Sequence, residues 1–167
     1  MKKEVSFIVN AAVIAALYVV LTLLANTLGL ANHAIQVRFS EALTILPLFT
    51  PAAIPGLFIG CILSNLLTGC VLWDIIFGSI ATLLGALGTH LIGKHLPEKI
   101  KKWMAPLPPI LANTIIVPFV LAYVYKFEGS LPYFCVTVGI GEIISCGVLG
   151  ILLYNILQKY RKHIFPN

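Results

Sequence analysis

One carboxylic acid stands in the middle of an otherwise uncharged run: Glu142, in Val138-Gly-Ile-Gly-Glu-Ile-Ile-Ser-Cys146. An ionisable side chain in so apolar a stretch is costly, and by default it marks a site facing an interior or a cavity. The residues on its helical face, Cys135, Gly139, Ser145 and Cys146, are small and leave room for a guest. The structural alternative is a glutamate that is protonated or paired within the protein. Arg38 and Glu41 form a second focus. At i and i+3 they either pair with each other or turn toward a ligand, and Ser40 between them suits a helix N-cap. Trp73 and Asp74 open another apolar stretch, where Trp73 suits an interfacial anchor and Asp74 an acid favoured by the helix dipole. Asn65, Asn113 and Tyr123 are polar groups within apolar stretches, serving either interhelical hydrogen bonds or ligand contacts, with Asn113 the weakest candidate.

The acids Glu41, Asp74, Glu128 and Glu142 outnumber the bases Arg38 and Lys126 among these outer and apolar segments. Such a surplus suits a cationic ligand or one presenting adjacent N–H donors, as on the amidine-like edge of a guanine ring. No P-loop, no HExxH and no nucleophile beside its base occurs. A membrane-embedded enzyme, the alternative class, would gather acids or histidines at one depth; His33 instead lies apart from His90, His95 and His163. Cys61, Cys70, Cys135 and Cys146 form no CxxC pair, so neither a metal nor a redox site is expected. They are read as small packing residues, with a Cys70–Cys135 bridge as the alternative. No cofactor and no nucleic-acid partner is expected.

Residues of this kind need an apolar frame. Of 167 residues, 59% are hydrophobic and only 10% charged. Soluble domains carry about a quarter charged residues, so lipid must cover this chain. Lys2 and Lys3 precede an apolar stretch from Val5 to Leu28, longer than the roughly 7–15 residues of a signal-peptide core, and it reads as a first span. Pro47, Pro51 and Pro55 make one straight helix improbable between Ala42 and Leu67, and the block splits near Phe49–Ala53. The expectation is an all-α integral membrane protein, a single domain over residues 1–167. Its compact bundle has six transmembrane helices at about 5–28, 40–51, 53–68, 73–93, 107–125 and 132–157. The second helix, about twelve residues or roughly 18 Å, is too short to cross about 30 Å of hydrocarbon and should tilt or tuck against its neighbours. Pro118 should kink the fifth helix and free the carbonyl of Thr114.

Charge orients the bundle. Six spans with both termini cytoplasmic place nine of the 11 basic residues inside and leave only Arg38 and Lys126 outside, whereas five spans give eight against three. The Gly29–Phe39 segment, with Asn32, His33, Gln36 and Arg38, is then an outer connection, either an interfacial loop or a lid. Lys94–Pro106 is a basic cytoplasmic connector with Trp103 as an anchor. Helix one carries the overlapping pairs Ala11/Ala15 and Ala12/Ala16, spacing that lets another helix approach closely. With about 18 kDa and no inverted repeat, a self-sufficient secondary transporter is disfavoured.

Several runs resemble the QueT family: Gln36-Val-Arg-Phe-Ser-Glu-Ala-Leu-Thr-Ile-Leu-Pro47, Phe49-Thr-Pro-Ala-Ala-Ile-Pro-Gly-Leu-Phe-Ile-Gly-Cys61, Asp74-Ile-Ile-Phe-Gly-Ser-Ile-Ala-Thr-Leu-Leu84, Ala105-Pro-Leu-Pro-Pro109 and Gly139-Ile-Gly-Glu142. The resemblance covers nearly the whole chain in order. It implies a substrate-binding S component of an energy-coupling-factor (ECF) transporter in a bacterial cytoplasmic membrane. Such a component captures a 7-deazaguanine precursor of queuosine at the outer face. It assembles with a membrane coupling subunit and two cytoplasmic ATPases, with Ala11, Ala12, Ala15 and Ala16 matching the motif that meets the coupling subunit. Arg38, Glu41, Asp74 and Glu142 match motif positions. On this reading Glu142 receives the guanine-like edge and Arg38 or Glu41 closes the site, with Trp73, Asn65 and Tyr123 as further candidates. An S component for another vitamin-like ligand is the nearest alternative.

Overall fold

Three prolines in nine residues interrupt the helical hydrogen-bond ladder, because each lacks a donor and crowds the preceding turn. In the computed structural model the chain breaks there. The structure describes residues 2–30 and 36–164, without the side chains of Lys2, Lys162 and His163, and it holds no strand among them. Helix α1 spans Lys2–Thr27, a 3-10 helix spans Phe39–Leu48, and α2 spans Ala53–Leu67. Helix α3 runs from Leu72 to His95 and short α4 covers Glu98–Met104. Helix α5, Leu107–Phe119, continues as a π-helical turn over Val120–Val124 just beyond Pro118. Helix α6, Leu131–Glu142, passes through a π-helical stretch, Ile143–Leu149, into α7, Gly150–Ile164.

Four continuous stretches are long and apolar enough to cross a membrane: Lys3–Thr27, Leu72–His95, Glu98–Val124 and Leu131–Arg161. The 3-10 helix and α2 are shorter apolar helices. Of the two expected placements the Phe39–Leu48 segment takes the second, tucked among its neighbours, and it winds as a 3-10 helix instead of an α-helix. Every residue from Ser40 to Pro47 is buried, and α1, α2, α3, α7 and the Ile143–Leu149 stretch surround it. Runs of this length are uncommon because the hydrogen-bond geometry is poor, so packing on all sides must hold it. Ser40 is not an N-cap. It lies in the first turn, and its hydroxyl oxygen accepts from Thr22 Oγ1 at 2.8 Å. Of the expected outer loop, Asn32 and His33 lie outside the described residues. The basic connector contains α4, where Lys101 pairs with Glu98 at 3.1 Å and Lys102 Nζ sits 4.9 Å from the Trp103 ring centre.

Small residues set the helix spacing. A Cβ on Gly56 would lie 2.7 Å from the Ala11 carbonyl oxygen, and one on Gly60 would lie 2.7 Å from Tyr18 Cβ and 3.1 Å from Ala15 Cα. Helix α2 therefore lies backbone to backbone along the Ala11/Ala15 stripe of α1. Helices α3 and α5 meet the same way, with Gly85 against Pro109 and Gly88 against Pro108. Lipid gives apolar side chains no reason to leave it, so this close van der Waals contact is what associates the helices. All four cysteines are free, Cys61 and Cys146 within the interior.

Replacing Gly60 by Ala should lower stability by about 1–3 kcal/mol, the usual range for overpacking. Thermal unfolding of the detergent-purified protein measures it. Gly147→Ala, whose Cβ would meet Ile143 at 3.9 Å, should leave the midpoint unchanged.

Candidate functional site

Helices α1 and α2 end, and α3 begins, at the end of the bundle opposite the lysine-rich turn after α3. There they enclose a cavity of about 280 Å³. Helix α1 contributes Thr22 and Asn26, and the extended approach to the 3-10 helix contributes Gln36 and Arg38. Helix α2 and its terminal turn add Asn65, Thr68, Gly69 and Cys70, where Gly69 adopts the left-handed φ of 73° that reverses the chain. Asp74 faces them from the first turn of α3, while Val117, Leu121, Tyr125 and Phe127 form an apolar and aromatic wall.

Two opposite charges line this space without touching. The Arg38 guanidinium makes no ion pair among the described residues, and its one hydrogen bond, to Gln36 Oε1, is long at 3.4 Å. Burial acts most strongly and opposes its charge, but Asp74 and, behind it, Tyr18, Glu41 and Cys61 together more than offset that, so the guanidinium stays protonated. Asp74 is 7% exposed. Its Oδ2 accepts from the Tyr125 hydroxyl at 3.0 Å, and the Tyr125 oxygen accepts from the Val71 amide at 3.3 Å. Asp74 Oδ1 accepts no hydrogen bond among the described residues. It lies on the Gly78 face of α3, as does Asn65 Nδ2: a Cβ on Gly78 would sit 3.7 Å and 3.3 Å from them.

Beside the cavity runs a second, fully internal polar group. The Tyr18 hydroxyl donates to Glu41, and Cys146 Sγ donates to Glu142 Oε2 at 3.1 Å. Thr44 Oγ1 donates to the Glu41 carbonyl at 2.6 Å, and Ser145 Oγ accepts from the Arg38 amide at 3.1 Å. Glu41, Glu142 and Cys146 bring one possible ligand atom each to within 4.8 Å of one another. The Tyr18 and Cys146 protons already serve these carboxylates, so protein hydrogen bonds answer them without an ion. Glu41 is 2% and Glu142 8% exposed, and neither lines the cavity.

The candidates from the sequence therefore separate. Arg38, Asp74 and Asn65 meet at the cavity. Arg38 and Glu41 form no pair, since Glu41 turns to Tyr18 instead. Trp73 is exposed and stacks on Phe77, with ring centres 6.0 Å apart; Tyr123 is exposed and stacks on Phe119 at 6.1 Å. Tyr123 lines an apolar outer groove between α3 and α5 rather than the cavity. Asn113 is buried and off the cavity, its side chain beside Glu142. Gln36, noted in the sequence only as part of the outer connection, lines the cavity, and Tyr125, Thr22 and Asn26 line it and escaped notice, because a tyrosine at a span end and polar side chains near a helix end are ordinary there. The expected acid surplus is also absent among the described lining residues, which carry Asp74 and Arg38 as their charged members and so have no net charge.

Gly141 decides whether Arg38 reaches this place. A Cβ there would fall 2.2 Å from the Gln36 carbonyl oxygen, so Gly141→Ala must push the Gln36–Arg38 segment off α6. Ligand binding to the purified protein should weaken at least about tenfold, equivalent to 1.4 kcal/mol. Gly139→Ala, in ordinary contact with Thr114 at 3.5 Å, should bind normally.

A family model, QueT transporter, matches residues 8–159. Neither the curated proteins nor the solved structures yield a match. The matched stretch contains α2, α3, α5 and α6, the Arg38 segment and most of α1 and α7. The protein belongs to the QueT transporter family and is a membrane transport protein, not an enzyme.

Proposed function

We propose that this chain is the substrate-binding S component of an ECF-type importer, capturing a 7-deazaguanine queuosine precursor from outside a bacterial cell. The observation that carries the reading is the cavity between α1, α2, α3 and α5, which holds an unpaired arginine and a buttressed aspartate within a transporter of this family. Six spans in a single membrane domain, with both termini cytoplasmic, open that cavity outward and put the Lys94–Lys102 turn inside, in keeping with the excess of basic residues in cytoplasmic loops. Arg38, Asp74 and Asn65 contact the ligand. Glu41 and Glu142 act from behind the wall, holding the Arg38 segment and α6 in register.

The chain has no nucleotide-binding loop, so ATP is hydrolysed by two partner subunits, reached through a membrane coupling subunit. A groove of about 480 Å³ along α1 and α2 offers the docking face, lined by Ala11, Ala12, Ala15 and Ala16 with Pro55 and Ile59. Its two alanine pairs divide the work. Ala11 and Ala15 lie against α2, whereas Ala12 and Ala16 stay exposed for the partner helix.

Binding by the purified protein across 7-deazaguanines, thiamin, riboflavin and biotin tests the assignment. A 7-deazaguanine should bind at least about tenfold tighter than any other compound, a gap of 1.4 kcal/mol. Tighter binding of one of the vitamins would replace it. Ala16→Trp should block assembly with the coupling subunit and leave ligand binding intact.

A further inference from the structure

The cavity's charged groups differ in how they are held. Arg38 is loosely held: among the described residues one long hydrogen bond to Gln36 leaves most of its five N–H donors free. Asp74 is tightly held. It is tied by Tyr125, which is itself anchored on the Val71 amide one turn before the aspartate, so hydroxyl, amide and carboxylate form one rigid unit. That unit leaves Oδ1 free and directs it to the Gly78 face shared with Asn65 Nδ2. No described carboxylate comes close enough to neutralise Arg38 directly, and no described base pairs with Asp74.

A guest that satisfies both must present an acceptor to the guanidinium and N–H donors to the carboxylate. Because the lining has no net charge, the guest needs none either. A ring bearing a carbonyl next to an N–H and an exocyclic amino group meets all three conditions. A ring with an amino group in place of the carbonyl would set donor against donor at Arg38 and an unprotonated ring nitrogen against Asp74.

Resting on the reading of this cavity as the substrate site, we propose that Tyr125 and Arg38 set its specificity. Tyr125 is a positioning residue that fixes Asp74 toward the N–H and amino edge of a neutral lactam–amidine ring. Arg38 takes the ring carbonyl, and the substituent elsewhere on the ring contributes little through its charge. The device selects on the order of donors and acceptors along one edge of the ligand.

The test measures binding of 7-deazaguanine, its nitrile and aminomethyl derivatives, 7-deazahypoxanthine and 7-deazaadenine to the full-length purified chain. Sites built to bond a polar group reject an analogue lacking it by large factors, so 7-deazaguanine should exceed 7-deazaadenine by at least about a hundredfold. The nitrile and aminomethyl forms should agree within about threefold, since Asp74 and Arg38 balance and leave the described lining no net charge to discriminate them. Tyr125→Phe should narrow the guanine-to-adenine ratio at least about tenfold without moving the unfolding midpoint, because a freed aspartate still accepts but no longer points. Asp74→Asn should narrow it further. A ratio unchanged in both variants overturns the inference while the transport reading stands. An aminomethyl form bound at least about tenfold more tightly than the nitrile overturns its claim of charge neutrality. Failure of the unsubstituted chain to bind any 7-deazaguanine removes the transport reading and this inference with it.

Discussion

The hydrogen bond from Tyr18 to Glu41 is the interaction on which the interior depends. A carboxylate taken out of water without a partner is among the most costly groups a protein can bury. Glu41 sits near the start of the 3-10 helix and is almost wholly enclosed. Tyr18 reaches it from the middle of α1, and Cys146, next to it, bonds Glu142 on α6. Three elements distant in sequence thus meet at one polar point. Moving any of them by a turn would strand an acid in an apolar interior, so the network sets the register of α1, the 3-10 helix and α6 together. Ser145, beside Cys146, then takes the Arg38 amide, and the position of the cavity's arginine follows.

Close packing supplies what polarity does not. Gly56 and Gly60 bring α2 onto α1, and Gly85 and Gly88 bring α3 onto the prolines that open α5. These contacts use glycine where a single methyl would collide, which concentrates attraction along narrow seams and leaves the large apolar side chains outward for lipid. The result is an interior rich in small and hydroxylated residues, among them Ser40, Thr44, Ser64, Thr82 and Thr89. Most of these return their hydrogen bonds to the backbone or to a neighbouring thiol. The α1 stripe has two sides, and only one is consumed within the chain.

The division between internal acids and cavity acid changes the chemistry expected of the site. Counting every acid in the outer and apolar segments suggests a preference for positive charge. Once Glu41 and Glu142 are occupied by Tyr18 and Cys146, the lining balances Asp74 against Arg38. In the proposed substrate site, recognition rests on the direction of hydrogen bonds, since Tyr125 holds one aspartate oxygen and no described residue donates to the other.

Composition determined that the chain lies in lipid, because 10% charged residues cannot cover a water-soluble surface, and apolar runs of about 20 residues determined that it is helical. The prolines at 47, 51 and 55 determined the break before α2, since a missing donor acts locally whatever the fold. Arg38, Asp74 and Asn65 were visible as costly polar groups in apolar surroundings. Only the tertiary structure decided which buried acids face a cavity and which face each other. Glu142 stands out in its own segment more than Asp74 does, yet its thiol donor lies one turn on along the same helix, beside an acid about a hundred positions earlier in the chain. Burial cost is a property of a residue and its segment, and so can be read locally. Satisfaction of that cost depends on neighbours brought from elsewhere, and periodicity along one chain does not encode which of them arrive.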